Sequence, residues 1–274
     1  MGGAQGEGAG ARDDADPTLV LLERRGPAAI LTFNRPEKLN AISSAMLRAL
    51  DRRLDEVEAD SAVGAVILTG AGSKAFVAGA DIGEYAEQDR ERFLGYQRES
   101  RRLFSRVDEF PKPVIGAVNG YALGGGFEIA LCCDVLVAST AARFGLPEGL
   151  LGLSPGGGGT QRLTRAVGPF AAAHVLVAAQ RLSADDAFRL GLVAEVVQPD
   201  ALLEVAVGIG EAIDRVAPVA VREMLGLVRV AMEASLERGL TEEQDALARL
   251  HRTHDAAEGI RAFVEKREPR FRGA

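Results

Sequence analysis

Apolar positions along this chain change their period several times. Leu19 to Leu22 and Ala28 to Phe33 are short apolar-rich runs on either side of Gly26-Pro27, the pattern of two strands joined by a turn. After Ser43-Ser44 the spacing becomes three and four. Leu47, Leu50, Leu54 and Val57 then share one helical face, and either serine can cap that helix. Ala65 to Thr69 reads as a buried strand. Phe93, Tyr96, Leu103, Phe104 and Val107 return to helical spacing. Val114 to Val118 and Asp134 to Ser139 are further strands, separated by a short apolar helix, and Leu192 to Val197 is one late strand. Helices dominate from Phe170, with a capped start at Ser183-Ala184-Asp185-Asp186. The last ~60 residues read as helix throughout, with Leu225, Val228, Met232, Leu236, Leu240, Leu247 and Leu250 as apolar points. Interleaved strands and helices followed by a helical end predict an α/β fold.

Composition narrows the function classes. The 274 residues carry a formal net charge of −7, so no basic face for wrapping nucleic acid is expected. The only cysteines, Cys132 and Cys133, are adjacent, which makes neither a disulfide framework nor a zinc site. A reduced, metal-free, cytoplasmic protein is expected. No apolar stretch reaches the ~20 residues that span a membrane. Residues 1–16 are rich in glycine and acids, unlike a secretory signal or a transit peptide, and read as a flexible tail. Arginine outnumbers lysine 28 to 4, which suggests a GC-rich bacterial genome and makes each lysine easy to weigh.

Three glycine-rich motifs compete for the chemistry. Gly70-Ala71-Gly72-Ser73-Lys74-Ala75 fits a dinucleotide fingerprint only if a helix begins there, and Gly79 and Gly83 argue against one. Gly152-Leu153-Ser154-Pro155-Gly156 fits a hydrolase nucleophile elbow, but Pro155 lacks the N–H that its oxyanion hole needs. In Asn119-Gly120-Tyr121-Ala122-Leu123-Gly124-Gly125-Gly126-Phe127-Glu128, glycines admit a close ligand at a helix start whose N–H donors suit a developing oxyanion. Glu128 lies one turn in, among Ile129, Ala130 and Leu131. Burial there would raise its pKa toward acid–base use; a glutamate that merely complements the helix dipole fits as well. Glu148, in Phe144-Gly145-Leu146-Pro147-Glu148-Gly149, reads locally as a solvated loop acid.

Together these residues resemble the crotonase superfamily, and enoyl-CoA hydratases within it. The resemblance rests on six ordered segments: Asn34 to Ala41, Ala78 to Ile82, Asn119 to Glu128, Phe144 to Glu148, Pro155 to Leu163, and Phe263 to Arg267. It implies a crotonase-like spiral of repeated ββα units over 17–205. A helical region over 206–274 would build a trimer or a hexamer of two trimers. The implied reaction is syn addition of water to a 2-trans-enoyl-CoA in fatty-acid or related acyl-CoA degradation. The resemblance makes Glu128 and Glu148 the catalytic acids, and Ala80 and Gly125 the oxyanion donors. It implies an acyl-CoA contact set of Lys38, Ala41, Lys74, Ala78, Ala80, Asp81, Ile82, Gly83, Gly125 and Gly156. Lys266 would reach a neighbouring copy's site. Each of these lysines also reads as an ordinary solvated side chain. No cofactor is implied beyond the coenzyme A of the substrate. Gly83 stands where relatives often carry lysine, and the bulk of Phe127 is expected to reshape the acyl pocket. An isomerase or acyl-CoA hydrolase on the same fold is the alternative, and a non-catalytic binding protein is the reading from another class.

Overall fold

The computed structural model describes residues 16–86 and 89–274. Of the expected tail, residues 1–15 lie outside the described residues.

The sequence opens with its clearest pattern. β1 (Val20–Arg25) pairs antiparallel with β2 (Ala28–Phe33), and Val20 stands opposite Phe33. α1 (Ser44–Ala59) follows and is capped by Ser43, whose hydroxyl accepts from the Met46 N–H. From β3 (Ala65–Gly70) the chain repeats one motif: a strand in a large sheet, a strand in a small sheet, then helix. β4 (Ala75–Ala78) precedes α2 (Ile82–Ala86) and α3 (Arg90–Asp108). β5 (Val114–Val118) and β6 (Tyr121–Leu123) precede α4 (Gly125–Ala130). β7 (Val135–Ser139) and β8 (Arg143–Gly145) precede a 3-10 turn over Pro147–Leu151, then α5 (Gly159–Val167) and α6 (Pro169–Val177). β9 (Leu182–Ser183), α7 (Ala184–Arg189) and β10 (Glu195–Val197) close the spiral, and α8 (Leu202–Asp214) follows them. The large sheet runs β1-β2-β3-β5-β7-β10 and the small one β4-β6-β8-β9. These are the expected ββα turns.

Two asparagines clip the turns together. The Asn40 side chain donates to the Ala71 and Ala75 carbonyls at 3.0 and 2.9 Å, and Asn119 donates to Gly70 and Gly72 at 2.9 and 2.8 Å. The corners are tight: a Cβ on Gly120 would lie 2.2 Å from the Lys74 carbonyl oxygen. One apolar cluster fills the space between the sheets and α1, α3 and α4. A second lies under the large sheet, where Leu202, Ala206 and Val207 of α8 meet Ile30, Ile67, Ile115 and Val137. The expected boundary between 205 and 206 thus falls inside α8.

Two expected elements are shorter than their patterns. The late strand starts at Glu195, because Leu192 N–H is drawn to the Ala187 carbonyl at the end of α7. The helical end breaks into α9 (Pro218–Glu233), α10 (Leu236–Leu250) and α11 (His254–Glu265), with Ser235 and Thr253 capping the later two. Ser and Thr hydroxyls satisfy helix-start N–H groups and so end one helix while starting the next. No helix among the described residues is long and apolar enough to cross a membrane.

Candidate active site

In the small sheet, Ala78, Leu123 and Gly145 stand in register on parallel β4, β6 and β8. All three strands therefore end on one side, and ligands bind outside the carboxyl ends of parallel strands. The segments leaving that edge carry Ala80, Gly125 and Glu148.

The loop after β4 is held from below. Ile42 bridges Ala80: Ile42 N–H donates to Gly79 O at 2.8 Å and Asp81 N–H donates to Ile42 O at 2.9 Å. Donors alternate sides along an extended chain, so the Ala80 N–H points away from Ile42, toward the cavity Ala80 lines. Arg35 steadies the loop through Asp81 at 3.0 Å and the Ala41 carbonyl at 3.1 Å.

After β6, Gly124 takes φ +52, ψ −127, which side chains rarely allow. α4 then starts at Gly125, whose N–H precedes the first intrahelical bond. Gly126 lets α4 sit on β4, since a Cβ there would lie 1.9 Å from the Val77 carbonyl oxygen. One turn in, Glu128 is 5% exposed. Its Oε1 accepts from the Gly157 and Gly159 N–H groups at 2.8 and 2.9 Å. Burial pushes the Glu128 carboxyl above the usual range, while those amides and the Arg162 charge pull it back. Glu148 comes from the 3-10 turn after β8. Burial pushes its carboxyl up to about 7, and the nearby Glu128 charge adds to the push. Its Oε2 is buried without a hydrogen-bond partner. Here the structure departs from the local pattern: Glu148 is a desolvated acid, not a solvated loop residue.

Both acids, Ala80 and Gly125 line one cavity of about 410 Å³. Ala78, Ile82 and Gly156 line it as well. Tyr96, Gln97, Ser100 and Phe104 of α3 form a wall that sequence reasoning did not place, because helical spacing reveals an apolar face but not what it faces. The amides of Gly157 and Gly159 were likewise missed as partners of Glu128; the glycine run was their only signal. Phe127 does not reshape this cavity. It is fully buried behind it and packs on Phe144, ring centroids 5.3 Å apart.

The remaining expected contacts lie outside the cavity. Lys38 and Lys74 are exposed on adjacent loops, where a Cβ on Gly72 would come 3.4 Å from Pro36 Cβ. Gly83 is exposed on α2, and Lys266 is exposed past the end of α11 with φ +53. The two competing motifs lack their contexts. β3 runs on to β4 with no helix at Gly70 to Ala75, and Ser154 sits in irregular chain after a 3-10 turn, although it lines the cavity. Among the described residues, no cluster of three His, Cys, Asp or Glu side chains could hold a metal ion.

The model of the enoyl-CoA hydratase/isomerase family matches residues 23–274. The chain belongs to that family. A short-chain-enoyl-CoA hydratase from Clostridium acetobutylicum is 45% identical over 91% of this chain and 95% of its own length. A 2,3-dehydroadipyl-CoA hydratase from Escherichia coli is 40% identical over 93% of this chain and 98% of its own. The crystal structure of an enoyl-CoA hydratase from Bacillus anthracis superposes with a TM-score of 0.90 at 37% identity, covering 93% of this chain and all of that one. In this family member, the cavity at the edge of the small sheet is therefore the candidate site for acyl-CoA chemistry.

Proposed function

We propose that this chain adds water across the 2,3 double bond of a 2-trans-enoyl-CoA, giving a 3-hydroxyacyl-CoA. One observation carries the reading: two glutamates in unlike environments share a cavity with Ala80 and Gly125. The thioester oxygen sits between the Ala80 and Gly125 amides. As water bonds to C3, charge moves onto that oxygen, and each donor is worth roughly 10²–10³ in rate. Glu128, kept available as carboxylate by two amides and Arg162, takes the proton of the attacking water. Glu148, held up to about 7, keeps a protonated share near neutral pH and gives its proton to C2. In this reading both acids stand on one face of the double bond, which makes the addition syn. A proton passed from Glu128 to Glu148 resets the pair.

Isomerisation needs one proton shuttle, whereas hydration uses both acids. A serine hydrolase reading gains nothing from Ser154, because Pro155 supplies no N–H. Two intact, desolvated acids also have no purpose in a non-catalytic binding protein. Among the described residues lining the cavity none is Lys, Arg or His, while two are acids. An anionic acyl tail would meet repulsion without a counter-charge, so the reading assigns uncharged acyl chains. Coenzyme A lies along the Ala78–Gly83 backbone with its phosphates toward Lys38 and Lys74. Lys266 arrives from a neighbouring copy in a trimer or hexamer. The enzyme serves fatty-acid or related acyl-CoA degradation in the cytoplasm, where Cys132 and Cys133 stay free thiols. It needs no metal and no nicotinamide.

The test is direct. Purified protein, chelated and dialysed, is given crotonyl-CoA, a 3-enoyl-CoA and 2,3-dehydroadipyl-CoA. Fast hydration of the first, slower isomerisation of the second and poor turnover of the third are expected. Isomerisation that outruns hydration, or activity that returns only with zinc or NAD, would overturn the reading.

A further inference from the structure

Glu128 is anchored in the cavity by two backbone amides, and its anchor has an anchor of its own. The Gly157 and Gly159 amides that grip Oε1 belong to the peptides 156–157 and 158–159. Between them lies the peptide 157–158, whose carbonyl accepts from Arg162 Nη1 at 3.0 Å. Pinning that carbonyl fixes the planes on both sides, because each peptide is rigid and only φ and ψ turn between them. The loop has little stiffness without this contact. It holds four glycines in a row, Gly156 to Gly159, and Gly158 sits at φ +113, where other residues are strained. Arg162 is itself held. Its Nε and Nη2 reach Asp108 Oδ2 at 3.2 and 2.9 Å, at the end of α3. The Arg162 side chain is 22% exposed and that of Asp108 37%. A fork with fixed geometry suits this task, since one planar group serves a carbonyl and a carboxylate at once.

We infer that Arg162, oriented by Asp108, is a positioning residue for Glu128: it locks the glycine loop whose two amides aim the carboxylate at the attacking water. The inference deepens the hydratase reading and rests on it only for the water. It adds a consequence for the cavity wall. α3 supplies Gln97, Ser100 and Phe104 to the acyl side and Asp108 to this chain of contacts. Acyl binding and the setting of Glu128 thus share one helix. The charged and titratable groups around Glu128 are Arg162 on α5, Asp108 on α3, Cys132 just past α4, and Glu148 after β8. Burial pushes the Cys132 thiol pKa up and keeps it neutral, and Arg162 is the positive charge that acts on Glu128.

Three variants separate positioning from bulk structure. Arg162→Met removes fork and charge, Arg162→Lys keeps the charge without the fork, and Asp108→Asn loosens Arg162 in place. Hydration of crotonyl-CoA is measured against pH, alongside the infrared titration of the Glu128 carboxyl, identified by its absence in Glu128→Gln. Arg162→Met is expected to lower kcat roughly 10²-fold, the scale of a misplaced catalytic group, with KM within a few-fold. Its Glu128 band and the acid limb of its rate profile move to higher pH, because lost positive charge favours the neutral acid. Arg162→Lys keeps the limb near wild type and still loses kcat, and Asp108→Asn falls between. Folded variants with wild-type kcat and an unmoved band would overturn the inference; if Arg162→Met does not fold, Asp108→Asn decides alone. A wild type that hydrates nothing, but whose Glu128 band moves in the variants, would sink the hydratase reading and keep Arg162 in its role.

Discussion

Glu128 and Glu148 carry the same side chain, and their surroundings differ. Two amides and a guanidinium stand beside Glu128, while Glu148 Oε2 is buried with no partner at all. Gln keeps the shape and removes the exchangeable proton, so Glu128→Gln and Glu148→Gln should each lower hydration by roughly 10²–10⁴. The double variant should fall far short of the product of the two losses, because the acids act as a unit. Hydration at normal rate by folded Glu128→Gln would remove the water-activating role. In wild type, activity should fall at low pH as Glu128 takes a proton, and fall above about 7 as Glu148 loses one. The orphaned oxygen also bears on stability. The Glu148 pKa is raised from 4.5 in the unfolded chain to about 7 in the fold. The folded state therefore binds more protons between those values, and stability drops as pH rises through that window. Glu148→Gln should melt higher than wild type at pH 8, by about 1–2 kcal/mol allowing for solvent screening, and the gain should vanish near pH 4. Equal melting curves at both pH values would show that Glu148 is solvated. Nothing in the sequence next to Glu148 announced this burial, because the atoms that bury it come from elsewhere in the fold.

Element by element, the large sheet was legible and the small sheet was not. β2, β3, β5 and β7 are apolar runs of five or six residues, long enough to show in the sequence. β4, β6, β8 and β9 have four, three, three and two residues, too short for a period of two to declare itself. They are strands because each is placed in register against the turn before it. Yet the small sheet carries the site, so the residues were found by their glycines and by family resemblance rather than by pattern. The α4 helix, with Glu128, was legible as a short apolar helix, whereas the loop that grips Glu128 was not, since glycines name no partner. The contact between α4 and β4 is testable. Gly126→Ala would put a methyl 1.9 Å from the Val77 carbonyl oxygen and 2.8 Å from Val77 Cβ, so backbone must move. Overpacking of this kind costs about 1–3 kcal/mol, and it would shift Gly125 and Glu128 together. A lower Tm accompanied by lost hydration is expected. A variant with wild-type Tm and rate would show that α4 does not rest on β4.

At the scale of the whole molecule, the helical end is poor in core. α9 buries no residue of its own, yet places Met224, Val228 and Met232 four apart on one face, 49%, 64% and 47% exposed. Leu240 and Leu247 on α10 and Ile260, Phe263 and Val264 on α11 are more than half exposed. Monomers rarely leave contiguous apolar surface of this kind to water, so these helices are expected to pack against further copies of the chain. The proposed catalytic parts all come from one chain: Glu128, Glu148, Ala80 and Gly125 line one cavity, and Arg162 contacts the loop that holds Glu128. Under the proposed assembly, the added part is Lys266, which lies past the end of α11 and outside its own chain's cavity. The two functions should therefore come apart. Light scattering of wild type is expected to give a multiple of three times 28.9 kDa. Val228→Glu, which buries a charge in the contact, should give smaller species with unchanged circular dichroism. If Lys266 serves a neighbour, these species should bind acyl-CoA more weakly and show a raised KM, while kcat stays within a few-fold. A wild-type monomer at micromolar concentration would refute the assembly. A dissociated variant with unchanged KM would confine Lys266 to its own surface.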